Sequence, residues 1–201
     1  MKRIGALILI ALAMGACSRD NPPPGEPTPP PMTTPPPPPP PPPVAPLIVI
    51  DELGQPLAGY EILVNTDRGR SDWLSTTSEG FLAAYPSGQA WGFVAAVLSG
   101  DPTPGRRPFR DVSMYKTFHI QLRGRSGGET VDIGIKDNTD PDTGSETKKR
   151  VVLTTTAWQT LEYPLTDFTT ADLKRIYLLF EIVFDGGPGR SVYFRDVKYL
   201  P

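Results

Sequence analysis

Residues 47–201 predict an all-β domain, an antiparallel sandwich or barrel with at most one short helix. Short runs rich in Val, Ile, Leu, Phe and Tyr recur along the segment. Turn-forming clusters separate them: Pro86-Ser87-Gly88, Gly124-Arg125-Ser126-Gly127-Gly128, Asp140-Pro141-Asp142-Thr143-Gly144 and Gly186-Gly187-Pro188-Gly189. Several runs alternate apolar and polar residues with the period of two that puts successive side chains on opposite faces of a strand. A domain of about 150 residues buries nearly 70% of its unfolded surface, enough for one core.

The elements follow in order. Leu47–Asp51 opens the domain. Glu61–Val64 is an extended piece that runs into a polar loop reaching Ser78. Gly80–Tyr85 and Trp91–Leu98 are the next strands. In Tyr115–Arg123, Phe118, Ile120 and Leu122 face inward, and Tyr115, Thr117, His119, Gln121 and Arg123 face outward. In Glu129–Asp137 the inward stripe is Val131, Ile133 and Ile135, and the outward one is Asp132, Gly134 and Lys136. Arg150–Thr155 and Gln159–Leu165 follow. A short helix is expected at Thr170–Arg175, capped by Thr169 with Asp172 at the acidic third position. In Tyr177–Phe184, Leu178, Phe180, Ile182 and Phe184 share one face, and Tyr177, Leu179, Glu181 and Val183 the other. Ser191–Tyr199 closes the domain. Each inward side chain contributes about 1.5–3 kcal/mol on full burial.

The first 46 residues are different in kind. Met1-Lys2-Arg3, the uncharged stretch Ile4–Ala16 and the small residues before Cys17 have the order of a secretory signal. The apolar stretch is shorter than the roughly 20 residues of a membrane span. Cys17 is the chain's one cysteine, so no internal disulfide is possible. Residues 1–16 therefore read as a signal peptide and 17–46 as a linker. Asn21–Pro46 holds 17 of the 26 prolines, with an unbroken run from Pro35 to Pro43. Proline fixes φ and removes a donor, so this segment favours stiff polyproline II. Extended at ~3.1 Å per residue, about 25 residues reach roughly 75 Å. Docking of a proline-binding domain is the alternative use.

Losing Lys2 and Arg3 lowers the basic count from 20 to 18 against 22 acids, a net charge of −4. Nothing in that balance favours nucleic acid, which selects basic patches. The outward stripes mix His119, Gln121, Arg123, Asp132, Lys136 and Glu181 with Tyr115 and Tyr177 nearby. Amide, guanidinium and carboxylate groups beside aromatic rings suit a polyol, since a ligand site needs a few placed polar groups on an apolar surface. The same stripes also fit a solvated face laced with cross-strand ion pairs. Two carboxylates such as Asp132 and Glu181 could serve a glycosidase. Gly124–Gly128 matches Gly-x-Ser-x-Gly, but a nucleophilic serine needs a strand-to-helix turn. A strand pattern follows, so the run reads as a glycine-rich hairpin loop, and no catalytic residue is assigned.

Several stretches resemble carbohydrate-binding jelly rolls. Arg107-Pro108-Phe109-Arg110-Asp111-Val112-Ser113-Met114-Tyr115-Lys116-Thr117 is similar to the entry to a strand in such domains. Leu122-Arg123-Gly124, Gly127-Gly128-Glu129 and Val131–Asp137 continue the likeness, as do Trp158-Gln159 with Pro164-Leu165 and Val192-Tyr193-Phe194-Arg195-Asp196-Val197. Over about Gly80–Leu200 the chain resembles the galactose-binding-like sandwich, similar to family 11 carbohydrate-binding modules. That likeness implies an antiparallel jelly-roll β-sandwich that binds a glycan without catalysis. It places Trp91 where such domains carry an aromatic on an early strand, and a core or edge role is the competing reading. The expected ligand set is Tyr115, His119, Gln121, Arg123, Asp132, Lys136, Glu181 and Trp91. Trp158 is expected to close the sandwich, and Trp73 to be a lid or a surface plug. Related modules carry structural calcium; Asp137–Glu146 is acidic but lacks EF-hand spacing, and neither it nor Asp196 is assigned as a metal ligand. No cofactor is expected.

The N-terminus resembles that of a bacterial lipoprotein, with lipid on Cys17 and Ser18 in the position where Asp would retain the product at the inner membrane. The expected protein is a lipid-anchored carbohydrate-binding module of the cell envelope, with the outer membrane favoured. Its expected partners are a glycan polymer and the membrane. A structural or protein-binding envelope module is the alternative.

Overall fold

The computed structural model describes Gly25 and residues 38–201. The expected signal peptide, Cys17 and most of the linker lie outside the described residues. Pro38–Pro46 is exposed and without hydrogen-bonded secondary structure.

The folded unit, Pro42–Pro201, is built from β1 (Leu47–Ile50), β2 (Tyr60–Thr66), β3 (Leu74–Thr77), β4 (Gly80–Tyr85), β5 (Trp91–Leu98), β6 (Thr117–Gly124), β7 (Glu129–Asp137), β8 (Lys148–Leu153), β9 (Gln159–Pro164), a 3-10 turn (Leu165–Asp167), β10 (Ile176–Asp185) and β11 (Arg190–Leu200). One sheet has the order β3-β4-β11-β6-β9, with β1 also on β11; the other has the order β2-β5-β10-β7-β8. Every pairing is antiparallel. The result is the expected antiparallel β-sandwich.

The inward stripes behave as alternation requires. Phe118, Ile120 and Leu122 of β6, Val131, Ile133 and Ile135 of β7, and Phe180, Ile182 and Phe184 of β10 are fully buried. Aromatic contacts join the sheets, Trp73 and Tyr85 meeting Phe184 and Phe194 meeting Phe180, while Phe118 meets Tyr199 on its own sheet and Phe168 beside it. Such contacts add about 0.5–1.5 kcal/mol each beyond area burial. The Tyr199 hydroxyl donates to Leu179 O at 2.7 Å, so its polar tip is satisfied inside the core.

Five expectations are corrected. The extended piece at Glu61–Val64 holds as the middle of β2, but residues 74–77 form β3 where only a polar loop was expected. Trp73 is no lid: it is 4% exposed, and its indole N–H donates to Arg70 O. Residues 170–175 make turns rather than a helix. There the Asp137 carboxylate takes the Asp172 amide, Leu173 O accepts from Val112 N, and Arg175 O accepts from Asn138 N. Arg175 N itself bonds Asp172 O at 2.9 Å, a turn contact in place of the helical one, and the long-range partners fix the rest of the segment. In β10 a bulge between Leu178 and Phe180 breaks the alternation, so Leu179 joins the core and Leu178 does not. Finally, Gly124–Gly128 is not a hairpin: β6 and β7 belong to different sheets, and the run carries the chain across the sandwich. Arg125 N donates to Ser191 O, Gly128 N to Leu153 O and Ser126 N to Glu129 Oε1, fixing the crossing.

Candidate functional site

That crossing decides where the candidate ligand residues go. His119, Gln121 and Arg123 face outward from the six-stranded sheet. Trp91, Asp132, Lys136 and Glu181 face outward from the five-stranded sheet, on the opposite side of the sandwich. Tyr115 lies before β6 begins and packs its ring against the core, 6.1 Å from Tyr199. The eight do not form one face.

On the six-stranded face the polar groups already hold partners. His119 sits between Glu162 (3.0 Å) and Asp196 (2.9 Å). Asp196 reaches it from a bulge in β11, at a positive φ of 49°, a conformation that Asp tolerates better than most side chains. Lys198 Nζ binds the same carboxylate at 2.8 Å. The Arg123 guanidinium lies 4.2 Å from the Tyr193 ring centroid and pairs with Glu79 at 2.6 Å. The Arg195 guanidinium lies 4.2 Å from the Trp158 ring, and its Nε–H donates to Gln121 Oε1 at 2.9 Å. Trp158 does not close the sandwich as expected: it packs outside the sheet, half-buried beneath Arg195.

The five-stranded face divides into two halves. Strand register sets its rows. Asn65, Phe93, Val183, Asp132 and Arg150 lie side by side, and the next row is Leu63, Ala95, Glu181, Gly134 and Lys148. Beyond them the β5–β6 and β7–β8 loops cover the sheet. Arg107 donates to Pro102 O (2.7 Å) and Asp140 O (3.1 Å), pairs with Asp142, and lies 4.9 Å from the Tyr177 ring. Lys136 Nζ donates to Pro141 O (3.0 Å) and Asp142 Oδ1 (2.9 Å). Ala95, Val97, Lys136, Tyr177 and Glu181 are therefore buried although they point away from the core. Glu181 is only 5% exposed. Burial, then the neighbouring Glu146 carboxylate, push its carboxyl up to about 8, against the partial opposition of Lys148.

The other half is open. Trp91 is 45% exposed and lies against Phe93, with ring centroids 6.2 Å apart and planes 18° from parallel. Leu63 adds apolar surface at the β2 edge. Arg150 spans two carboxylates across this floor, Asp132 at 3.2 Å and Asp185 at 2.8 Å. Burial raises the Asp185 carboxyl, but the Arg150 hydrogen bond and charge outweigh it and hold the group below its ordinary range. The arrangement offers a ring platform flanked by donors and acceptors. Phe93, Arg150 and Asp185 were not singled out from the sequence. Phe93 carried a usable signal, standing two residues from Trp91 and so on the same face.

Two shallow hollows lie elsewhere, about 320 Å³ at the Arg125–Thr130 and Pro188–Ser191 turns and about 280 Å³ beside Ile48, Asp51 and Asp196. Neither contains an aromatic side chain. The acidic β7–β8 loop uses its carboxylates internally. Asp137 Oδ1 accepts from the Thr139 amide and hydroxyl and the Asp140 amide, while Asp142 takes Arg107 and Lys136. Among the described residues, no three His, Cys, Asp or Glu side chains gather as a metal site would require.

The fold is an antiparallel β-sandwich with one open, aromatic-bearing half-face. The model of the family described as carbohydrate binding domain 30 matches residues 65–200, and the chain belongs to that family. It is thus a carbohydrate-binding module, of a non-catalytic class. Among solved structures, a family 30 carbohydrate-binding module shares 18% identity and a TM-score of 0.55, covering 78% of this chain and 98% of its own. The family 30 module of a cellulosomal cellulase of Clostridium thermocellum shares 17% identity and a TM-score of 0.53, with 78% and 97% covered. The family 11 module of Clostridium thermocellum, solved with a β-1,3-1,4-mixed-linked tetrasaccharide, shares 13% identity and a TM-score of 0.50, with 78% and 97% covered. The expected kinship with family 11 thus holds at the level of fold. No curated protein gave a significant match.

Proposed function

We propose that the open half of the five-stranded face binds a neutral glycan chain and that an N-terminal lipid holds the module at the bacterial envelope. Trp91 carries this reading, being nearly half exposed beside a near-parallel Phe93. An exposed ring on a module of this family is best used as a platform for the C–H face of a pyranose. Asp132, Arg150 and Asp185 then meet the ring hydroxyls at its edge. Because Arg150 is matched by two carboxylates, the floor carries no excess of positive charge to select an anionic polymer. Trp91, Asp132 and Arg150 are the proposed ligand contacts. Lys136 and Glu181 lie under the loops, and His119, Gln121 and Arg123 are on the far side.

The lone cysteine, Cys17, after the small residues that end an apolar run, and the proline-rich composition of Asn21–Pro46 support the placement. Two or more acyl chains anchor stably, and a proline-rich composition suits a spacer. Ser18 after the cysteine favours the outer membrane.

Calorimetry on the full chain with mixed-linked β-glucan and cello-oligosaccharides, ligands suggested by the structural neighbours, tests the site. Trp91→Ala is expected to weaken binding roughly ten- to thirty-fold, equivalent to about 1.4–2 kcal/mol. Arg123→Ala, on the opposite face, should leave it unchanged. Loss on Arg123→Ala with Trp91→Ala intact would move the site to the six-stranded sheet. A flat response across a glycan array, with an envelope protein recovered by the full chain, would favour a protein-binding module. Mass of the membrane-extracted protein, with and without Cys17→Ala, tests the anchor.

A further inference from the structure

The closed half of the face holds a group that glycan contact does not use. Glu181 projects from β10 onto the outer side of the sheet and is buried there. Its Oε1 has no hydrogen-bond partner. A Cβ on Gly134 would lie 2.5 Å from that oxygen, so Gly134 of β7 provides the recess in which the carboxyl sits. β5 supplies Ala95 opposite it and no ionisable side chain.

The charged groups facing Glu181 come from the neighbouring strands and the loop above. Lys148 of β8 places Nζ 4.0 Å from Oε1 but is bound by Glu146, the last acid of the β7–β8 loop. Glu146 Oε2, like Glu181 Oε1, is buried without a partner. Lys136 of β7 is engaged by Pro141 O and Asp142. Farther along β7 and β8, Asp132 and Arg150 pair with each other, and Lys149 pairs with Asp167 at 3.0 Å. On β10 itself, Asp185 is held by Arg150, and Tyr177 lies under Arg107. The site thus has one ammonium, Lys148, shared by two buried carboxyl groups, with no spare cation to balance the second.

We propose that Glu181 is a latch beneath the β7–β8 loop. As a neutral acid it lets Glu146 and Lys148 close the loop over the sheet; as a carboxylate it repels Glu146, lifts the loop and lengthens the exposed floor. Two like charges sharing one buried site are costly, and the loop is the part that can yield. Its Thr143–Ser145 tip is exposed, and the loop contains Asp142, whose partners Arg107 and Lys136 hold its other end.

The sign of the linkage follows. Burial and Glu146 raise the folded Glu181 from 4.5 to about 8. Between those values the folded state holds a proton that the unfolded state has lost, so stability is full below about 4.5 and falls as pH rises towards 8. Glu146, Asp137 and Asp142 act in the opposite direction: all three are lowered, and their contribution disappears in acid.

Amide NMR of the full chain from pH 5 to 10 tests the latch without any glycan. Gly144, Ser145, Glu146 and Thr147 should titrate together with a midpoint near 8. Glu181→Gln, which keeps the shape of the neutral acid, should abolish that transition and flatten thermal stability across the same range. Glu146→Gln should move the midpoint below 8 by removing the like charge. Loop amides that are silent over this range, or that titrate equally in Glu181→Gln, would overturn the latch. Lengthening of the glycan floor rests on the binding-face reading and has its own arm, mixed-linked β-glucan affinity at pH 6 and 9. A change in the wild type that is absent in Glu181→Gln supports it. A titrating loop with no glucan affinity at either pH would refute the face and leave the latch standing.

Discussion

On the six-stranded face Trp158 lies beneath the guanidinia of Arg195 and Arg123, 4.2 and 5.2 Å from its ring. On the five-stranded face, among the described residues, no cation covers Trp91, whose nearest stacking partner is Phe93. The two sheets carry similar inventories of Trp, Tyr, Arg and carboxylates and differ in what remains unoccupied. One face has satisfied its own aromatic surface with guanidinium groups and its own cations with carboxylates. The other leaves a ring free to solvent. A ligand must displace a guanidinium to stack on Trp158 and only water to stack on Trp91. A count of sugar-compatible residues therefore does not locate a sugar site. The proposed site rests instead on the unoccupied aromatic.

The comparison is sharpest among the three tryptophans, and the largest effect is expected at Trp73. It is packed edge-on to Tyr85 and Phe184 between the sheets. Trp73→Ala should cost about 3–5 kcal/mol in denaturant unfolding. Trp91→Ala should stay within about 0.5 kcal/mol, as a surface substitution does. A large stability loss at Trp91 would mean that it belongs to the core.

His119→Ala comes next. It leaves Glu162 and Asp196 without their shared partner, and Asp196 is buried. A cost of about 1–3 kcal/mol is expected for stranding a buried acceptor, reduced by the surviving Lys198 contact. Glycan affinity should not follow. Arg150→Ala reverses that pattern. It removes an exposed group from the open floor, so stability should change by less than about 1 kcal/mol, while affinity for mixed-linked glucan falls several-fold. Equal behaviour of the two variants would erase the distinction between the faces.

Much of this architecture was legible in single strands, because alternation is a local property. Phe118, Ile120 and Leu122 had to face one way once β6 formed, and the same holds for Val131, Ile133 and Ile135 in β7. What alternation cannot supply is which sheet a strand joins. Gly124–Gly128 has the composition of a hairpin turn, yet it takes the chain from one sheet to the other. His119 and Asp132 consequently have the same outward sense and point into opposite solvent. The β10 bulge hid Leu179 for a related reason, since a bulge is fixed by pairing with β5 and β7. Trp73 was misplaced because the residues before it, Arg70-Ser71-Asp72, are polar. Its burial comes from β4 and β10, which no local window contains. Trp91 was picked out, but Arg150 and Asp185 reach its neighbourhood only through cross-strand register.

The smallest effect tests the occupied face on its own terms. Arg195 stacks on Trp158 while its Nε–H donates to Gln121. A planar guanidinium does both at once, and an ammonium on a flexible stem cannot. Arg195→Lys should therefore lose about 0.5–1 kcal/mol, the value of a solvent-exposed cation–π contact, and shift the emission of Trp158. Glucan added to either protein should perturb Trp91 alone, so the ligand-induced fluorescence change should be the same size in Arg195→Lys and in wild type and absent from Trp91→Ala. If the lysine variant instead gains a glucan-dependent change that survives Trp91→Ala, uncovering Trp158 has created a second sugar platform. The guanidinium cover would then be the only thing separating the two faces.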